Sequence, residues 1–171
     1  MSEVTEAIIA RAKKIKALVL DVDGVMTDGS LMIGDDGQEY KVFHAHDGLG
    51  MKLLNKTDVK MAIITGRTSN VVKIRAETNH IEHCYQGVED KGLAFDDLIN
   101  KLGINPEEAA FMGDDIVDIP AMRKCGLAIT VPTAQSPVNA YAHYVTSSQE
   151  VCELIMKAQN TFEPITNKYF K

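Results

Sequence analysis

The sequence predicts an α/β protein: a three-layer, doubly wound parallel sheet with a β-hairpin insertion. Three observations predict it. Short, continuous apolar runs recur along the chain, as strands buried on both faces require. Stretches of helical period separate them. Three of the runs end in Asp- or Thr-containing turns, which is where ligands gather in open parallel sheets. At 171 residues the chain suits a single domain over residues 1–171 that hides about 70% of its unfolded surface.

The elements follow in order. Ile8, Ile9, Ala12 and Ile15 recur at helical spacing behind Thr5, a capping type, so a helix is expected near residues 5–14. Residues 17–20 are the first buried strand. Leu31-Met32-Ile33 and Glu39-Tyr40-Lys41-Val42-Phe43 flank Gly34-Asp35-Asp36-Gly37. Gly and Asp accept the positive φ of a tight turn, so a hairpin is expected over about 30–44. Alternation then predicts a helix near 49–55, a strand at 61–64, a helix near 70–77 and a short strand near 83–85. A helix at about 92–102 stops at Gly103, and Pro106 marks a turn or a first helical position. Strands at 109–112 and 127–129 enclose a helix near 116–124. A last helix at 150–159 opens a C-terminal segment, 150–171, whose tail from Phe162 through Tyr169 and Phe170 is expected to fray.

Composition removes several function classes. The net charge of −6 leaves no broad basic face for nucleic acid or anionic lipid. No apolar run is long enough to span a bilayer, and Glu3 and Glu6 are unlike a secretory leader. Cys84, Cys125 and Cys152 are too widely spaced for a paired metal site and read as reduced thiols of a cytoplasmic protein.

The strand ends carry the chemistry. Asp21 and Asp23 follow the first strand, Thr65-Gly66-Arg67 follows residues 61–64, and Gly113-Asp114-Asp115 follows residues 109–112. If Asp21, Asp23 and Asp114 converge, each like-charged pair at ~4 Å costs about 4 kcal/mol at an effective dielectric near 20. Such a cluster needs a cation, and oxygen ligands favour a hard one such as Mg²⁺. A carboxylate beside it can attack phosphorus in line and form an aspartyl-phosphate. Asp23 is placed to give a proton to the departing alcohol and to take one from water afterwards. Thr65, Gly66 and Lys91 would hold the phosphoryl oxygens. Each motif alone has a plain structural reading: a surface D-x-D, a helix-entry turn, a solvated lysine, a capping G-D-D.

Together the motifs resemble a family. Asp21-Val22-Asp23-Gly24-Val25-Met26-Thr27-Asp28, Ile64-Thr65-Gly66-Arg67, Lys91 and Gly113-Asp114-Asp115-Ile116-Val117-Asp118 are similar to the four motifs of haloacid-dehalogenase-like (HAD) phosphatases. The resemblance implies a Rossmann-like HAD fold, with Asp21 as nucleophile and Asp23 as acid/base. It implies Mg²⁺ held by Asp21, the main-chain carbonyl of Asp23 and Asp114. Asp115 and Asp118 would support that site through hydrogen bonds.

Only a hairpin fits between Thr27 and His46, and only a helix and strand between Asn70 and Lys91, so no cap domain is expected. The chain thus resembles the cap-less branch that includes 3-deoxy-D-manno-octulosonate 8-phosphate (KDO 8-phosphate) phosphatases. That resemblance implies release of free KDO for lipopolysaccharide synthesis, and a homotetramer with the hairpin at the subunit interface. The apolar residues of the hairpin fit burial by a partner or packing on their own domain. Arg67, Arg75, Asp47 and Gly48 are the expected substrate contacts. The chain departs from the branch after residue 145, where a glycine-rich G-G-x-G-A-x-R-E segment is missing and Thr146-Ser147-Ser148-Gln149 stands instead. Three alternatives stay open: a nonulosonate 9-phosphate or other small phosphate ester as substrate, a catalytically weak HAD-like structural or regulatory module, and a phospho-accepting receiver domain. The receiver order of motifs disagrees with a final Gly113-Asp114-Asp115 after Lys91.

Overall fold

The computed structural model describes residues 3–169. Helix α1 (Glu6–Ala12) is capped by Thr5, whose Oγ1 accepts the Ile8 N–H at 3.4 Å. Strand β1 (Ala17–Leu20) leads into a loop and the hairpin strands β2 (Met32–Ile33) and β3 (Glu39–Tyr40). Helix α2 (Ala45–Leu54), β4 (Lys60–Ile64), α3 (Asn70–Thr78), β5 (His83–Tyr85) and α4 (Lys91–Leu102) follow. The second half holds β6 (Ala109–Met112), α5 (Ile119–Met122), β7 (Leu127–Thr130) and α6 (Ser136–Asn139). It ends with β8 (Tyr144–Val145), α7 (Ser148–Ala158) and α8 (Phe162–Thr166).

Six strands pair in parallel in the order β5-β4-β1-β6-β7-β8, with Leu18 of β1 opposite Met61 of β4 and Ala110 of β6. β1 is fully buried, so both of its faces must be apolar. Leu18 and Leu20 join one core with Ile8, Met51, Leu54, Val72, Val151 and Ile155. Ala17 and Val19 join the other with Phe95, Leu98, Phe111, Met122 and Val138. The result is the expected helix–sheet–helix sandwich. Strand order reverses on either side of β1, so the carboxyl ends of β1, β4 and β6 open onto one crevice. Between β1 and α2 lies only the hairpin, and between β4 and α4 only α3 and β5, so the described residues hold no cap domain.

Several boundaries differ from expectation. α2 begins at Ala45, four residues before the expected helix, with His44 as its cap. Two glycines hid its first turns, because glycine weakens a helical pattern. Gly50 is there for close approach: a Cβ would lie 3.3 Å from Gln149 Cα on α7. The helix expected near 116–124 is instead a 3₁₀ turn, Ile116–Asp118, followed by α5, with Pro120 at its start. β8 and α6 are additional, too short to leave a periodic signal.

The hairpin strands are two residues each, paired Met32 with Tyr40 and Ile33 with Glu39. As far as Tyr169, the tail does not fray. Phe162 and Ile165 pack against the core, and Tyr169 Oη meets Lys56 Nζ at the end of α2. Phe170 lies outside the described residues. β8 runs through Thr146 straight into α7, where Ser147 and Glu150 form a capping box in place of the glycine-rich segment. Cys125 and Cys152 are buried, Cys84 is half-buried, and all three are free thiols.

Candidate active site

Asp21 directly follows β1. Its N–H donates to the carbonyl of Met112 at 2.9 Å, so the sheet ladder itself fixes its backbone. Its carboxyl is buried, 5% exposed, with Oδ2 2.8 Å from Lys91 Nζ. The chain then folds over the carbonyl of Val22, which accepts from the N–H groups of Val25, Met26 and Thr27. This tight turn needs Gly24 at a φ of 89°. It turns Asp23 towards the hairpin, where its Oδ1 meets Lys41 Nζ. Thr65, buried at the end of β4, donates its N–H to the carbonyl of Tyr85 at 3.0 Å.

Lys91 opens α4, whose first turn is capped by Asp90 Oδ1 accepting from the Leu93 N–H at 3.0 Å. The lysine is 2% exposed and bridges Asp21 and Asp118, with Nζ 2.5 Å from Asp118 Oδ1. Asp118, fully buried, accepts the N–H groups of Asp114 and Asp115 at Oδ2, each at 3.0 Å. Asp115 accepts the Ile116 N–H at 2.6 Å. One aspartate therefore locks the loop that presents Asp114 and also holds the lysine that contacts Asp21. The hydrogen bonds of Asp118 thus reach both Lys91 and the Asp114 loop, while that of Asp115 shapes the turn.

The charges are unevenly balanced. Burial, reinforced by Asp118, pushes the Asp21 carboxyl up to about 6 against the pull of Lys91. Asp114 is pushed to about 7 by burial and by Asp118, Asp21 and Asp115. Burial disfavours the charge on Lys91, but Asp21 and Asp118 outweigh it and hold its pKa above the ordinary lysine value. Oδ1 of Asp21 and Oδ1 of Asp114 are buried without a hydrogen-bond partner. Ligand atoms of Asp21, Asp114 and Asp118 lie within 4.8 Å of one another. Both oxygens of Asp118 are already engaged, so Asp21 and Asp114 are the carboxylates left to take a cation. All-oxygen donors, excess negative charge and two unpartnered oxygens fit Mg²⁺.

Asp21, Asp23, Asp114 and Asp115 line one cleft of about 270 Å³ with Thr65, Gly66, Arg67 and Lys91. The other expected contacts lie elsewhere. Asp47 lines a neighbouring cleft of about 440 Å³ with Thr27, Phe43, His44 and Gln149. Arg75 is pinned beside it: Nη2 donates to the His44 carbonyl at 3.1 Å and the guanidinium lies 5.0 Å from the Phe43 ring centre. Burial lowers its pKa, with Asp47 opposing. Gly48 sits against the same guanidinium, 3.1 Å from where its Cβ would be. The early start of α2 is the reason, since it places residues 47 and 48 inside a helix facing α3.

Two charged groups that contact the cleft residues Asp23 and Arg67 were missed by the sequence reading. Lys41 and Glu39 alternate with the exposed Tyr40 and Val42, so the charged pair faces Asp23 and the apolar pair faces outward. The two-residue period of charge across 39–42 was the available signal.

A family model described as haloacid dehalogenase-like hydrolase matches residues 55–157. The chain belongs to that family. This haloacid dehalogenase-like hydrolase is 41% identical over 167 residues to the 3-deoxy-D-manno-octulosonate 8-phosphate phosphatase KdsC of Escherichia coli (strain K12), covering 94% of this chain and 89% of that one. A crystal structure of the phosphatase of that name from Yersinia pestis is similar at 41% identity and a TM-score of 0.90, covering 92% of this chain and 89% of the other. The Moraxella catarrhalis phosphatase, solved with magnesium, phosphate and KDO, is similar at 39% identity and a TM-score of 0.92, covering 94% and 97%. Among the described residues, no helix of this hydrolase is long and apolar enough to cross a membrane.

Proposed function

We propose that the chain is a single catalytic domain that hydrolyses KDO 8-phosphate to KDO and phosphate. The observation that carries this reading is a buried Asp21 with one oxygen on Lys91 and the other unpartnered, in a chain 41% identical to phosphatases named for that substrate.

One carboxylate oxygen of Asp21 attacks phosphorus in line, and the bond to the sugar oxygen breaks. Asp23 passes its proton to that departing oxygen, then takes one from the water that cleaves the aspartyl-phosphate. Lys91, the Thr65 hydroxyl and the Gly66 N–H hold the phosphoryl oxygens as negative charge spreads over them. Asp21, the main-chain carbonyl of Asp23 and Asp114 would hold Mg²⁺, with Asp115 and Asp118 supporting them. When bound, Mg²⁺ offsets the charge of the carboxylates and of the phosphoryl group. Arg67, at the cleft mouth, is the group suited to a sugar-acid carboxylate.

Cytoplasmic action on a lipopolysaccharide precursor and a homotetramer built through the hairpin belong to the same reading. The exposure of Met32, Ile33 and Val42 supports the assembly, since a row of apolar side chains on a short hairpin calls for a cover. A phosphate-release assay with Mg²⁺ over KDO 8-phosphate, a nonulosonate 9-phosphate and hexose phosphates tests the activity. The highest kcat/KM is expected for KDO 8-phosphate, and EDTA should stop turnover until Mg²⁺ is restored. Preference for another ester, or hydrolysis indifferent to EDTA, overturns the assignment.

A further inference from the structure

Lys41 follows β3 on the hairpin, yet its side chain is only 1% exposed. The ammonium is packed between Asp23 Oδ1 and Glu39 Oε1, the latter at 2.6 Å. The remaining oxygen of each carboxylate faces Arg67. Nη2 of the guanidinium is 2.8 Å from Glu39 Oε2, and Nε is 3.9 Å from Asp23 Oδ2. Two acids and two bases thus close a ring beside the cleft, drawn from three separate stretches of chain, with Asp23 and Arg67 its members in the cleft lining.

The ring matters because Asp23 stands on a loop. The Val22 carbonyl fixes that loop's backbone, but among the described residues the Asp23 carboxylate meets only Lys41 and, at longer range, Arg67. An acid that protonates a leaving group needs its oxygen within hydrogen-bond reach of that group. A displacement of ~1 Å can cost about a hundredfold in rate. An exposed ion pair would hold the carboxylate loosely. A lysine enclosed on all sides and anchored by Glu39 holds it firmly.

We propose that Lys41 is a positioning residue for the acid/base step, with Glu39 holding Lys41 in turn. This rests on the assignment of Asp23 as the acid/base. Lys41 donates to Oδ1 and so leaves Oδ2 to carry the transferable proton. As the P–O bond breaks, that proton moves to the departing alkoxide oxygen, and Lys41 keeps all of its own.

Leaving-group dependence tests it, with the Mg²⁺-loaded enzyme and two substrates. p-Nitrophenyl phosphate releases a phenolate that needs no proton, whereas KDO 8-phosphate releases an alkoxide that does. Lys41→Met should lose about tenfold or more in kcat/KM, which reads only the steps through leaving-group departure, on the sugar phosphate relative to its loss on the aryl ester. Lys41→Arg should recover most of the difference. Glu39→Gln, which loosens Lys41 without removing it, should show the same bias at smaller size and reads the proposal if Lys41→Met does not fold. Equal losses on both substrates in a folded variant, or no loss on either, overturn it. Asp23→Asn separates the layers: bias there but none at Lys41 removes the Lys41 role alone, and no bias at Asp23 removes the acid/base assignment and this inference with it.

Discussion

Gly24 and Asp114 compete for one small space: a Cβ on Gly24 would stand 1.9 Å from Asp114 Oδ2. The glycine after the D-x-D pair therefore sets where the third carboxylate of the cluster rests, across a gap of ninety positions in sequence. Gly24→Ala must displace Asp114 or the turn, and its φ of 89° adds about 1 kcal/mol of backbone strain. We expect Mg²⁺ affinity, measured by calorimetry, to fall along with kcat/KM by about a hundredfold. The melting temperature should drop by only a few degrees.

Asp21→Asn replaces the attacking oxygen with an amide of the same shape. Phosphate release should fall by at least ~10³-fold, with an unchanged circular dichroism spectrum. Persistent turnover at the wild-type rate would take the nucleophile's role away from Asp21.

The raised pKa of Asp114 carries a signed prediction for the metal-free protein. Its folded value of about 7 lies above the unfolded 3.8, so the folded state binds the extra proton between them. Stability from this group is complete below about pH 4 and is lost as the pH rises through about 7. Asp114→Asn removes that loss. Without Mg²⁺, the stability advantage of the variant should grow from pH 5 to pH 8 towards ~2 kcal/mol, after discounting for partial exposure. Adding Mg²⁺ should restore the wild type and leave the variant unmoved. Parallel denaturation curves at both pH values would argue against a strained carboxylate.

Asp118→Ala strips a partner from buried Lys91 and leaves the N–H groups of Asp114 and Asp115 unpaired. Breaking a buried, hydrogen-bonded charge pair costs about 3–5 kcal/mol. Urea denaturation should register a loss of that order. Turnover should fall as well, because the same residue positions both Lys91 and the Asp114 loop.

Val42 is 73% exposed and Met32 and Ile33 are each 59% exposed. If the hairpin joins subunits, Met32→Lys with Val42→Lys should shift the mass by light scattering towards one chain of 18.8 kDa. The fold of the single chain should be little altered. An unchanged mass would move the interface elsewhere.

The sheet was legible in sequence because a strand buried on both faces leaves an unbroken apolar run, as Ala17–Leu20 and Ala109–Met112 do. The carboxyl-end rule then gathered Asp21, Thr65 and Asp114 without coordinates. What escaped depends on contacts between segments. The glycines that weaken the helical pattern of α2 include Gly50, which is there because the helix passes close to α7, a pairing invisible along one chain. The tail folds because Phe162 and Ile165 find the core and Tyr169 finds Lys56, although a terminal segment reads as loose in isolation. Lys41 meets Asp23 only after the hairpin bends back over the sheet edge, so its role could not be read from the spacing of the motifs. Asp47 and Gly48 were grouped with the cleft by resemblance and Arg75 by its charge and its spacing from Arg67, and the helix register places all three by the neighbouring cleft.

The alternation along residues 39–42 makes the hairpin a plate with two working sides. Tyr40 and Val42 face out while Glu39 and Lys41 face Asp23 and Arg67, on one continuous backbone. A body leaning on the outer side presses on the strand that carries the inner one, with no intervening element to absorb the push. Dilution that strips a neighbour from that outer side would then register as a slower leaving-group step, and specific activity would track enzyme concentration.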